Sequence, residues 1–157
     1  MKNMKNQKGF SLIELLVVVI IIGIIGAIAI PSLLSSRRAA NEAATVASMR
    51  NFHTANTTYL TTQAPNSFAA TAAAMSAAKL IDSSFSAAID ASSVRSGYTW
   101  TYTWAAATPQ TYTLTALSAN GSFQKSYFTN EEGVIRFENA AANANGTPAT
   151  VASAAIQ

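Results

Sequence analysis

From Leu15 to Ile30 the chain is an unbroken apolar run, interrupted only by Gly23 and Gly26, and no charged residue occurs from Leu15 through Ser36. Phe10, Leu12 and Ile13 before the run, and Leu33 and Leu34 after it, extend the block to about 25 residues. At 1.5 Å per helical residue the block spans about 37 Å, enough to cross a bilayer core of about 30 Å. Lys2, Lys5 and Lys8 precede it. Basic residues on that side predict an N-in orientation, with the rest of the chain outside the cytoplasm.

The helical pattern does not stop at the end of the block. Ser35 to Leu60 contains neither Gly nor Pro, and Val46, Met49, Phe52, Tyr59 and Leu60 recur at helical spacing with Asn56 on the same stripe. Alanines fill much of the remainder, so an amphipathic helix continues the apolar one. Pro31 is expected to kink it, because proline removes a backbone donor and clashes one turn back. Gln63 to Asn66, with Pro65, should end it. A rod of about 50 residues and about 75 Å is too long for a domain of this size to bury. Its N-terminal half therefore needs lipid or other copies around it.

Past the helix the period changes. Residues 63–96 are rich in Ala and Ser and read as a connecting loop with a short helix over Ala72–Leu80, anchored by Leu80, Ile81, Phe85 and Ile89. Tyr98, Trp100, Tyr102 and Trp104 alternate with threonines, and so do Tyr112, Leu114 and Ala116, which is the period of a strand. Asn120-Gly121 marks a hairpin turn before a third strand over Ser122–Thr129. Glu131-Glu132-Gly133 marks a second turn before a fourth strand over Val134–Phe137. The fold class expected is α+β: a long N-terminal helix on a four-stranded antiparallel meander spanning residues 97–138, a ladle-like arrangement. Residues 139–157 read as a flexible tail.

Composition narrows the function. A length of 157 residues fits one domain, and the absence of cysteine removes disulfide scaffolds, thiolate zinc sites and cysteine nucleophiles. A single histidine leaves little for a histidine metal site or a Ser-His-Asp triad. Glu131 and Glu132 supply too few ligands for calcium. No catalytic residue, metal or cofactor is expected, and the chain does not read as an enzyme.

Two readings of the N-terminus compete. A basic start, an apolar core and Ala27-Ile28-Ala29 would serve a secretory signal peptide. Against this, the helical pattern runs past that cut, and Glu14 opens the apolar block. A carboxylate there costs about 2.5–3.5 kcal/mol on insertion scales, which argues for a partner and a purpose.

Lys8-Gly9-Phe10-Ser11-Leu12-Ile13-Glu14-Leu15, followed by the Val/Ile run and by Ala29-Ile30-Pro31-Ser32, resembles the prepilin signal of type IV pilins and related pseudopilins. The resemblance covers about the first 60 residues. Tyr127 to Arg136 is similar, more weakly, to the last hairpin of some pilin-like proteins. The resemblance implies that residues 1–9 are a leader removed between Gly9 and Phe10 by prepilin peptidase, which also N-methylates Phe10. It implies that residues 10–34 pass from the inner membrane into a filament core, with residues 35–62 as the amphipathic half. Glu14 would pair with the Phe10 amine of a neighbouring copy and set the register of a helical homopolymer. Gly23, Gly26 and Pro31 would let the helix loosen on assembly. Partners implied are further copies of the chain, the peptidase/N-methyltransferase, and the pilus assembly platform and motor.

Many type IV pilins close their last strand with a disulfide, and this chain has no cysteine. A type IV pilus subunit on the cell surface is the first reading, and a pseudopilin of a type II secretion system is the alternative. The lack of an acidic calcium-ligand cluster puts the pilus ahead. More distant readings are a membrane-anchored module binding DNA or carbohydrate through the aromatic strand, and a secreted enzyme behind a signal peptide. The net charge of +3 and pI near 9.4 invite the DNA reading. Removing Lys2, Lys5 and Lys8 from the ten basic residues leaves seven against seven acidic ones, so the processed chain is side-chain neutral and no nucleic-acid partner is expected.

Overall fold

A computed structural model describes residues 9–62, 67–106, 110–119, 125–138 and 154–156. The leader lysines, the proposed helix stop at Gln63–Asn66, the Asn120-Gly121 turn and most of the expected tail lie outside these residues. The chain divides into two units, Met1–Arg38 and Ala39–Gln157. Helix α1, Leu12–Thr62, contributes to both.

Within Met1–Arg38, α1 runs through Gly23, Gly26 and Pro31 without a break. The large apolar side chains from Phe10 to Leu34 are between 47% and 91% exposed, so this stretch of helix has no covered face.

The second unit places the amphipathic half of α1 on a sheet. Thr45, Met49, Phe52 and Asn56 are buried at helical spacing, with Val46 and Tyr59 packed at the margins. Two short helices follow. α2, Ala72–Ala77, is capped by the Thr71 hydroxyl, which accepts the Ala74 N–H at 3.2 Å. α3, Ser83–Asp90, is capped by Asp82, whose carboxylate accepts the N–H groups of Ser84 and Phe85 at 3.0 and 3.2 Å. The sequence reading carried one helix here, over Ala72–Leu80. The segment instead breaks at Lys79, which takes a left-handed φ of 57° while its N–H bonds the Ser76 carbonyl. Asp82 then starts a second helix that buries Phe85, Ala88 and Ile89.

The sheet is antiparallel and strictly sequential: β1 (Val94–Arg95), β2 (Tyr98–Ala105), β3 (Thr111–Ser118), β4 (Ser126–Asn130), β5 (Arg136–Glu138) and β6 (Ala154–Ala155). The meander expected from sequence is present, with two more strands than the four predicted. β1 is added by a two-residue turn at Ser96-Gly97, where both residues have positive φ and match the right-handed strand twist. β6 pairs with β5, and the Ile156 N–H bonds the Ile135 carbonyl at 2.8 Å, so part of the segment expected as a tail belongs to the sheet.

The aromatic alternation faces α1. On the inner face Trp100 stands opposite Ala116, Tyr102 opposite Leu114 and Trp104 opposite Tyr112, while Thr101 and Thr103 meet Thr115 and Thr113 on the outer face. Phe52 sits edge-on to Phe85, Tyr102 and Tyr112, with centroids 6.3, 5.1 and 6.2 Å away. The aromatic stripe is thus core material, which removes it as an open stacking platform.

One polar side chain in this core has a specific task. The Asn56 Oδ1 accepts the Ala69 N–H at 3.0 Å and its Nδ2 donates to the Tyr102 hydroxyl at 3.3 Å, while that hydroxyl donates to the Ala69 carbonyl. Burial pushes the Tyr102 phenol up to about 12, so it remains a donor at neutral pH. The network ties α1 to the approach to α2 and to β2. Asn56→Ala leaves a buried N–H unpaired and is expected to cost about 1–3 kcal/mol in denaturant titrations.

Candidate functional site

The residues singled out for processing and assembly lie together at the start of α1. Gly9, Phe10 and Ser11 precede the helix, which begins at Leu12, and Gly9 and Phe10 are fully on the surface side of the chain's packing, with Phe10 91% exposed. A Cβ added at Gly9 would meet nothing within 4 Å. The first backbone bond of the helix runs from the Leu15 N–H to the Ser11 carbonyl at 3.3 Å. The Gly9–Phe10 peptide therefore stands outside the helical ladder.

Glu14 occupies the first turn and is exposed. Its carboxylate accepts the Ser11 N–H through Oε2 at 2.8 Å. An acidic residue there lies at the positive end of the helix dipole. Sequence reasoning assigned Glu14 only an intermolecular partner; the Ser-x-x-Glu spacing was the missed signal of a bond within the chain.

Gly23 and Gly26 are equally free of internal duties, since a Cβ at either would meet nothing within 4 Å. Each nevertheless weakens a helix by about 1 kcal/mol relative to alanine. Pro31 lies further along the same helix and removes another donor. Lys2, Lys5 and Lys8 fall outside the described residues.

Elsewhere, His53 is held by the sheet. Its Nδ1 lies 2.6 Å from the Tyr112 hydroxyl, and its ring fills the space that a Cβ on Gly133 would occupy. Gly133 closes the turn after β4 with φ +74°, donating its N–H to the Asn130 carbonyl at 3.0 Å. Burial lowers the His53 pKa below its ordinary 6.5. The unfolded chain therefore binds the proton more readily, and the stability this neutral ring contributes is present above pH 6.5 and lost as pH falls through the lowered folded value. Denaturant midpoints should fall on acidification from neutral pH towards 5, and His53→Gln should flatten that dependence. Glu132, one of the acidic pair too small for a calcium site, lies 3.4 Å from Arg136 in an ion pair.

Helix α1, entered through an exposed Gly-Phe peptide and an acidic first turn, is long and apolar enough to cross a membrane, and its second half belongs to an α+β unit. Residues 4–30 match the family model of the prokaryotic N-terminal methylation motif. The chain thus carries the signature of type IV pilins and pseudopilins. No curated protein and no solved structure matches it.

Proposed function

We propose that the chain is a prepilin whose processed form polymerises into a type IV pilus, anchored N-in in the inner membrane before assembly. The observation that carries this reading is the coincidence of the methylation motif with a helix whose following apolar residues all lack cover. Cleavage between Gly9 and Phe10 turns an uncharged amide nitrogen into an amine that is cationic near neutral pH. Once desolvated, that amine and the Glu14 carboxylate are each costly alone, and pairing between neighbouring copies offsets both. The contact joins different surfaces of successive copies, which is the geometry of an open filament. The chemistry is performed on the chain by prepilin peptidase rather than by it.

Electron microscopy of sheared surface filaments, with mass identification of their subunit, tests this reading. Filaments built from this chain support it. A chain confined to the periplasm, whose loss stops protein secretion, identifies it instead as a type II secretion pseudopilin.

The weak helix formers Gly23, Gly26 and Pro31 carry a second expectation. The helix is unbroken in the single chain, and we expect backbone hydrogen bonds around these residues to open in the filament, where neighbouring subunits cover the segment. A filament reconstruction with continuous helix from Phe10 to Leu60 would reject this.

A further inference from the structure

Beside the buried face of α1, within the Ala39–Gln157 unit, lies an open groove of about 410 Å³. That volume is in the range of small-molecule sites. One wall is a polar stripe of the helix. Ser48, Asn51, Thr54 and Thr58 follow one another at steps of three or four residues, so they share one side of α1. Each hydroxyl spends its hydrogen on its own helix: Ser48 on the Ala44 carbonyl at 2.8 Å, Thr54 on that of Arg50 at 3.0 Å and Thr58 on that of Thr54 at 2.8 Å. The oxygens keep their lone pairs to accept from a ligand. Asn51 is exposed, and its amide has no partner among the described residues, so it offers donors and an acceptor together.

The facing wall is apolar and fixed at both ends. Leu80 and Ile81 link α2 to α3, with the Leu80 N–H on the Met75 carbonyl at 3.0 Å and Asp82 capping α3. The bonds that Asp82 accepts from Ser84 and Phe85 all run to Oδ2, which leaves Oδ1 unengaged. Arg95 completes the lining. Its guanidinium lies over the Phe85 ring, 4.8 Å from the centroid, and its Nη1, 3.8 Å from Asp82 Oδ2, is buried without a hydrogen bond.

We propose that this groove binds a neutral pyranose sugar. Such a ring carries an apolar C–H face and a rim of hydroxyls that both donate and accept. The Leu80–Ile81 wall takes the C–H face, and the α1 stripe, Asp82 Oδ1 and the free guanidinium N–H take the rim. A hydrocarbon ligand would strip water from the polar wall without replacing its hydrogen bonds. A charged ligand would find no net charge, since Asp82 and Arg95 offset each other. The site belongs to the α+β unit alone and does not depend on the filament reading.

Titration of the full-length ¹⁵N-labelled chain in phosphocholine micelles, which carry no sugar headgroup, tests this by NMR. The probes are methyl β-D-glucoside, methyl β-D-galactoside and methyl α-D-mannoside, with the open-chain polyol sorbitol as control. At least one glycoside should move the amide signals of Asn51, Ile81 and Arg95 together, saturating at millimolar concentration, and sorbitol should not. Asn51→Leu should weaken that binding about tenfold, and Thr58→Val about fivefold, the effects of one or two lost hydrogen bonds. Thr101→Ala, on the outer face of the sheet, should bind as the wild type does. No movement with any of the three glycosides overturns the site. So does an equal response to sorbitol, or unchanged binding in both Asn51→Leu and Thr58→Val.

Discussion

Replacing Glu14 with alanine is expected to abolish filaments while leaving the chain in the membrane. The two effects have opposite signs. Removing a carboxylate from an apolar segment eases insertion by about 2.5–3.5 kcal/mol, so membrane levels should hold or rise. In the filament the same change strands the Phe10 ammonium without its counter-charge, and breaking a buried pair from one side costs about 3–5 kcal/mol. That penalty recurs at every subunit added. Quantifying the chain in membranes and in sheared filaments of the same cells separates the two. Normal filaments in this variant would refute the pairing. Loss of the chain from the membrane would contradict the insertion argument.

The second large effect lies in the Ala39–Gln157 unit. Phe52 is fully buried and makes edge-on contacts with three rings, from α3, β2 and β3. Phe52→Ala removes those contacts and leaves a cavity in a core of large, rigid rings. The expected loss is about 3–5 kcal/mol, a fall in Tm on the order of 10–20 °C. Near-ultraviolet circular dichroism of the full chain in detergent follows it through the Trp and Tyr signals of the core. Thr101→Ala, on the exposed outer face, should change stability by no more than about 0.5 kcal/mol. An unchanged Tm for Phe52→Ala would contradict the placement of the aromatic stripe against α1.

Long-period signals were legible in the sequence, and short ones were not. The 51-residue helix announced itself through an apolar block followed by a stripe at helical spacing, and the aromatic strands through sustained alternation. Thr45 escaped because it is polar, although it lies four residues before Met49 on the buried face. α3 escaped because its eight residues are mostly Ser and Ala, and its clearest mark is the cap at Asp82 rather than its pattern. β1 and β6, of two residues each, exist because a neighbouring strand offers an edge, and so local sequence carries little trace of them. β5 begins at Arg136 rather than at Val134, since Gly133 to Ile135 are taken up in leaving the turn. At the N-terminus the residue types were readable as a motif. The bond from Ser11 to Glu14 needed the position of the helix start.

The central claim is that processing occurs between Gly9 and Phe10. Intact-mass measurement and N-terminal sequencing of the mature chain test it most directly. The mature chain should begin at N-methylated Phe10. A chain that begins at Ile30, as cleavage after Ala27-Ile28-Ala29 would produce, contradicts it.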